Sequence, residues 1–305
     1  MKVSIVMTTY NGSRYLREQL DSIKKQNYGD MEILIFDDGS NDGTQKLIQD
    51  YIKEYSLENW IFYQNSKNLG WKKNFIEGMK KAQGKYVFPC DQDDIWYDDK
   101  VSMMVCKMEE NANISLLASN YTVKTEEDDC SGFSKNLDDT GTIEKIELNF
   151  HNIYNERPGC VYCIRKSFYD EYVELWKKEL GHDDFLWKIA LISNSLYIYH
   201  KCTIQYRRYG SNTTMRNHSR SIRIKDNQAC YELFSEYRKQ NKNLTSSQME
   251  FLDKEILFCT LRNQLLNEGK IMKLIKIATL KKMYKTKRHF WGDIACVMAP
   301  FMFDD

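Results

Sequence analysis

Three prolines and fourteen glycines in 305 residues exclude a long low-complexity linker, and no segment repeats. Charge of one sign is equally scarce: 44 basic side chains against 43 acidic ones leave a net charge of +1. A field that weak does not favour nucleic acid, which is not expected as a partner. Long hydrophobic runs are missing too. Met1 to Met7 hold an apolar run too short for a targeting signal. What is present, 42% hydrophobic and 29% charged residues, suffices for one large core or two unequal ones.

The nine cysteines are scattered, and only Cys160 and Cys163 have CxxC spacing, inside an apolar segment. A zinc site needs a second ligand pair, and none is spaced for it. Buried structural thiols are the expectation. The odd count and the lack of a signal peptide predict a reducing cytoplasm.

The first half alternates regularly. Apolar runs at 3–7, 31–36, 60–63, 86–90 and 114–121 read as strands. Between them, apolar residues at helical spacing mark helices: Leu16, Leu20 and Ile23; Leu47, Ile48, Tyr51 and Ile52; Phe75, Ile76 and Met79, ending near Gly84; Val101, Met104, Val105 and Met108. Such alternation predicts an α/β fold, a doubly wound and mostly parallel sheet flanked by helices. Ligands of these sheets bind beyond the carboxyl ends of the strands. Residues 124–150 are polar and acidic, a surface excursion. Helices are expected at 167–180, 183–192, 226–240 and beyond 247. The predicted division is a catalytic domain over 1–225, with halves at about 1–110 and 111–225, and a basic helical segment over 226–305.

Every polar cluster of the first half follows a strand. Asp91-Gln92-Asp93-Asp94 places three carboxylates in four residues. They would repel one another without a cation, and hard oxygen ligands favour magnesium or manganese. The same cluster also reads as an acidic helix start. Asp37-Asp38-Gly39-Ser40 is either a plain turn or a site in which Asp38 accepts the N3–H of uracil or thymine and Tyr10 stacks on the base. Gly70 and Lys73, in Asn68-Leu69-Gly70-Trp71-Lys72-Lys73-Asn74, suit a diphosphate or else belong to a solvated helix start. In Gly181-His182-Asp183-Asp184 one carboxylate can accept a proton from a nucleophilic hydroxyl, or the segment is an acidic first turn.

In combination these motifs resemble glycosyltransferase family 2, enzymes of the GT-A fold. Thr8-Thr9-Tyr10-Asn11-Gly12 looks like that family's first-strand signature, and Asp37 to Thr44 its nucleotide-binding turn. Asn68-Leu69-Gly70 with Asn74 matches the next stretch, and Asp91-Gln92-Asp93-Asp94-Ile95-Trp96 its metal-binding region. The likeness is greatest to bacterial rhamnosyltransferase-like members and covers about residues 3–215. It implies an inverting, metal-dependent transfer of a sugar from a nucleotide diphosphate donor, a UDP- or dTDP-sugar, to a hydroxyl of a surface glycan or lipid-linked acceptor.

The resemblance also implies roles. Asp38 would hold the pyrimidine, with Thr8, Thr9 and Tyr10 around the base. Asp93, with Asp91 or Asp94, would hold Mn2+ or Mg2+ on the donor diphosphate, Asp91 standing on the nucleotide side as well. Asp183, after His182, matches the family's general base, with Asp184 the alternative. Arg157 and Gly159 resemble the acceptor-side segment. Tyr209 stands where many members carry a histidine, and the processive synthases' Gln-x-x-Arg-Trp signature is absent, which implies single-sugar addition. Two other classes stay open. A magnesium-dependent nucleotidyltransferase would want a glycine-rich basic first loop in place of Thr8-Thr9-Tyr10-Asn11. A non-catalytic nucleotide- or glycan-binding module would not need Asp38, Asp93 and Asp183 together.

From 270 to 288 the chain carries eight basic residues and no acid, interleaved with apolar ones. A segment over 270–303 either lies on an anionic membrane at the inner face of the cell envelope or packs as a C-terminal helix with its lysines in water.

Overall fold

A computed structural model of the chain describes residues 2–125, 137–209, 219–268 and 272–298. The first half runs β1 (Val3–Thr9), α1 (Ser13–Lys24), β2 (Met31–Asp37), α2 (Thr44–Glu54), β3 (Trp60–Gln64), α3 (Trp71–Lys81), β4 (Tyr86–Cys90), β5 (Ile95–Trp96) and α4 (Lys100–Glu110). The second half runs β6 (Leu116–Thr125), β7 (Ile143–Lys145), β8 (Tyr162–Arg165), α5 (Lys166–Tyr172), α6 (His182–Ile192), β9 (Leu196–Arg208), α7 (Arg220–Gln240), α8 (Ser246–Glu268), α9 (Met272–Thr279) and α10 (Lys287–Met298).

Among the described residues nine strands form one sheet, in the order β3-β2-β1-β4-β8-β6-β9-β5 with β7 beside β9. The expected parallel pairing holds from β3 to β4. Beyond β4 the sheet is mixed: β8 runs antiparallel to β4 and β6, while β6 and β9 are parallel. β1 is buried at every residue and β4 likewise, which is why both read as unbroken apolar runs. The helix expected to end near Gly84 stops at Lys81, and the one expected over 167–180 is the shorter α5 followed by a 3-10 turn at Val173–Leu175. Of the polar stretch at 124–150, residues 126–136 lie outside the described residues, and β7 forms within the rest.

The sequence placed a boundary at residue 225. The chain clusters into one unit of 1–146, 157–173 and 195–213 and another of 147–156, 174–194 and 214–305. The reason is α6. Nine of its eleven residues are buried, so it is apolar nearly all round and belongs inside a helical core. There Gln248 donates to the Ile192 carbonyl at 2.7 Å, and Ser193 and Tyr237 share a hydrogen bond at 2.9 Å.

The same core buries charge. Asp293 of α10 is fully enclosed and accepts from Arg223 at 3.0 Å, from Arg262 at 2.5 and 3.1 Å, and from the Tyr284 hydroxyl at 3.0 Å. No helix among the described residues is long and apolar enough to cross a membrane. Every described cysteine is a free thiol, as expected.

Glu255 of α8 is buried, and its Oε1 has no hydrogen-bond partner. Burial pushes its pKa up to about 8, against the opposing charge of Lys188. The folded chain therefore holds a proton there that the unfolded chain releases near pH 4.5, and stability falls as pH rises from that value through about 8. Glu255→Gln is expected to flatten this slope, gaining on the wild type between pH 5 and pH 8 by an amount set by about 1.4 kcal/mol per pKa unit. Denaturant melts at the two pH values measure it, and parallel wild-type and variant curves would refute it.

Candidate active site

Three chain segments meet at the carboxyl ends of β1, β2 and β4. The turn after β2 is organised by Asp37, which is buried and accepts from the Thr9 hydroxyl at 3.0 Å, the Ser40 amide at 2.9 Å and Gln45 at 2.7 Å. Asp38 follows it and turns the other way. Its Oδ1 accepts from the Leu69 amide at 2.7 Å and from Asn65 at 2.9 Å, and its Oδ2 from the Gly70 amide at 2.8 Å. Gly70 has φ +79°, a left-handed conformation that suits glycine. Its amide thus faces Asp38 and Asn68, so its part is to hold Asp38 rather than to offer a free donor to a diphosphate. Lys73 stands exposed on the first turn of α3.

Thr8 and Thr9 are buried at the end of β1, whereas Tyr10 is 51% exposed. The backbone of Tyr10 is clamped by one side chain. Gln92 accepts from its amide at 2.8 Å and donates to its carbonyl at 3.2 Å. The first-strand signature and the acidic turn are thereby one piece.

In the acidic turn, Asp94 is fully buried, its Oδ1 accepting from the Arg207 amide at 3.0 Å and its Oδ2 without a hydrogen-bond partner. Oxygens of Asp91 and Asp94 and the sulfur of Cys160 lie within 4.8 Å of one another. Asp93 stands apart from that group, its Oδ2 accepting from the Tyr209 hydroxyl at 2.5 Å. Burial raises the pKa of Asp93, and burial with the charge of Asp93 raises that of Asp94. Carboxylates so placed gain from a divalent cation, whose charge favours their ionised form against the burial that raises them. The unpartnered oxygen of Asp94 beside Asp91 fits a hard cation. Cys160 fits less well: burial pushes its thiol well above its ordinary value, which disfavours the thiolate that binds a metal.

Two buried cations support this turn. The Arg207 Nε donates to the Asp93 carbonyl at 2.7 Å, its Nη2 reaches Glu18 at 2.8 Å, and its guanidinium lies 4.3 Å from the Tyr15 ring centre. The Lys100 ammonium donates to the Cys160 carbonyl at 2.5 Å and lies 3.5 Å from the Trp96 ring centre; burial lowers its pKa to about 8. Gln92, Lys100, Arg207 and Asn65 were not singled out from the sequence. Gln92 had a signal there, standing inside the acidic motif, and so had Arg207, in the Tyr206-Arg207-Arg208-Tyr209 segment that resembles one of rhamnosyltransferase-like members. Of the acceptor-side pair, Arg157 is buried and donates to Asn120 at 3.1 Å, and Gly159 opens a 3-10 turn that leads to β8.

Asp183 and Asp184 belong to the second unit, in the first turn of α6. Asp183 accepts from Asn155 at 3.1 Å and from the Asp184 amide at 2.8 Å. Asp184 instead pairs with buried Lys188 at 2.5 Å, one helical turn on. Burial works against the Lys188 charge, but Asp184 together with Cys230 and Glu255 outweighs it and the pKa is raised.

The sequence profile described as glycosyl transferase family 2 matches residues 4–170, from β1 to α5. The chain belongs to this family. Among its relatives are a dTDP-rhamnosyl transferase RfbG of Shigella flexneri, 32% identical over 72% of this chain and 77% of its own, and an uncharacterized glycosyltransferase of Rickettsia typhi, 27% identical over 70% of this chain. This chain covers 65% of the length of the Rickettsia protein. Of solved structures, Staphylococcus aureus TarS 1–349 in complex with UDP superimposes with a TM-score of 0.62 at 17% identity, over 92% of this chain and 77% of that one. A mannosyltransferase of Pyrobaculum calidifontis in complex with GDP-Man and Mn2+ does so at 0.53 and 13%, over 98% and 87%. The expected GT-A fold is therefore the fold observed. Family membership sets aside the nucleotidyltransferase reading.

Gln92→Ala should leave the fold intact, since Gln92 lies outside the core, yet free the Tyr10 backbone. Losing two hydrogen bonds of about 1 kcal/mol each is expected to weaken UDP or dTDP binding roughly ten-fold or more. Calorimetric titration reads this, and an unchanged affinity would show that the clamp has no part in the nucleotide site.

Proposed function

We propose that this chain is an inverting glycosyltransferase that moves a sugar from a pyrimidine nucleotide diphosphate sugar to a hydroxyl of a surface glycan, carried on a lipid. The observation that carries the reading is the acidic turn Asp91-Gln92-Asp93-Asp94 at a strand end, joined through Gln92 to Tyr10. Asp38 lies in the neighbouring turn. A binding module has no need for carboxylates held close against their repulsion.

Tyr10 offers an exposed ring for the base, and Asp38 keeps lone-pair capacity for an N3–H beyond the donors it already has. A pyrimidine is thus favoured, and the RfbG relative makes dTDP-rhamnose the first donor to try. Asp91, Asp93 and Asp94 would hold Mn2+ or Mg2+, with the Tyr209 hydroxyl yielding its place on Asp93. The cation supplies charge neutralisation at the diphosphate leaving group. The chain's residues do the rest. The Gln92 clamp and Arg207 fix the two turns, so the donor meets a preorganised site. Asp183 takes the acceptor proton as the hydroxyl attacks in line, which inverts the anomeric carbon. Its rival Asp184 is tied to Lys188, whereas Asp183 has only the neutral Asn155 side chain and an amide beside it.

Two experiments follow. With manganese present, Asp93→Asn is expected to lower nucleoside diphosphate release by roughly 100-fold or more and to remove metal-dependent thermal stabilisation by UDP or dTDP. An active variant without metal dependence sinks the metal role, and tighter binding of GDP than of both UDP and dTDP sinks the pyrimidine assignment. For the base, Asp183→Asn should cut kcat by about 10²–10⁴ and spare donor affinity. Asp184→Asn should show mainly as a lower Tm through the broken ion pair with Lys188. The reverse pattern would move the base by one position.

A further inference from the structure

Helix α10 is built the opposite way from an ordinary surface helix. Its inward face carries a carboxylate, Asp293, enclosed by Arg223, Arg262 and Tyr284. Gly292 lets that face come close: a Cβ there would lie 2.8 Å from the Arg223 guanidinium. Residues on a helix turn by about 100° per position, so fixing Asp293 inward fixes the rest. Arg288, Trp291 and Met298 fall on the opposite side, with Lys287 toward its edge. Trp291 and Met298 are each 63% exposed, and Lys287 and Arg288 are exposed beside them. Ile275 of α9, in the same segment, is 68% exposed.

We propose that the outward face of α10, Trp291 and Met298 with Lys287 and Arg288, docks this helical unit on an anionic lipid surface. Charge decides the occupant. The sequence from 269 to 292 holds eight cations and no acid, Lys281, Lys282 and Lys285 among them. The one acid of the helix, Asp293, is turned away and neutralised by two arginines, so nothing on α10 opposes an anionic partner. Tryptophan suits the headgroup boundary, where its ring is apolar and its N–H meets water. Cations beside an apolar face are the composition of helices that lie in that boundary. As no described helix can cross a bilayer, the contact is with its surface. The inference accords with a lipid-carried acceptor but stands on the helix alone, and its failure would leave the transferase reading untouched.

The test is co-sedimentation of the full chain with vesicles of phosphatidylcholine alone and of equal parts phosphatidylcholine and phosphatidylglycerol. Binding is expected to the mixed vesicles only, and to weaken with added salt. Trp291→Ser with Met298→Ser should lower vesicle affinity roughly ten-fold or more, and Lys287→Glu with Arg288→Glu should abolish it. All four positions are exposed, so the melting temperature should stay at the wild-type value, and nucleotide binding is the control that the rest of the chain is intact. Equal binding to both vesicle types, no binding to either, or unchanged binding by both variants would overturn the proposal. So would a wild type that elutes as a dimer and becomes monomeric in Trp291→Ser/Met298→Ser, which would assign the face to a second copy of the chain.

Discussion

The buried guanidinium of Arg207 touches the acidic turn through a carbonyl, while its own amide holds Asp94 and its far end reaches Glu18. Carboxylates packed this tightly would drive the turn apart if only water balanced them. A fixed arginine on one side and the buried Lys100 on the other give the turn a shape before any ligand arrives. The arginine comes from β9, placed by antiparallel pairing with β5, where Ile95 faces Gln205 and Trp96 faces Ile204. A two-residue strand directly after the acidic motif thus fastens the site to the second half of the sheet.

The other turns are secured in the same manner, by polar groups that satisfy one another. Asp37 closes its own turn on Ser40 and Gln45, and Asp38 fastens the loop at 65–70. Buried polar networks are costly if any member is left unsatisfied, so such loops have few alternatives to the observed arrangement. In the second unit the enclosed Asp293 follows the same logic, its charge met by two arginines. Glu255 departs from it, with one oxygen unmet, as do the Ser235 hydroxyl and the Gln264 amide oxygen.

The parallel half of the sheet was legible because a strand covered on both faces must be apolar throughout, as β1 and β4 are. Of the later strands β6 was, at 114–121, but β8 and β9 were not. β9 carries His200, Lys201, Gln205, Arg207 and Arg208 among its apolar residues, and such a mixture hides a strand that nonetheless pairs with β5, β6 and β7. β8 is four residues long, too short for a period to show. The acidic motif, the Asp38 turn and the α6 carboxylates could be picked out because several charges stand together. Lys100 could not, since a long cation is normally exposed and nothing local says otherwise. Asp183 was preferred to Asp184 by its place after His182; that Asp184 is tied to a buried Lys188 four residues on could not be read from the sequence. A boundary at 225 puts α6 with the first part of the chain, whereas α6 clusters with the late helices.

The Gln92 clamp on Tyr10 has an entropic side. Folding alone has fixed the backbone at Tyr10, because its amide and its carbonyl are held by one side chain. The half-exposed ring keeps its two torsions. Whatever stacks there has only those rotations to restrict, rather than a length of loop to order, and immobilising a ring is a small loss beside ordering backbone.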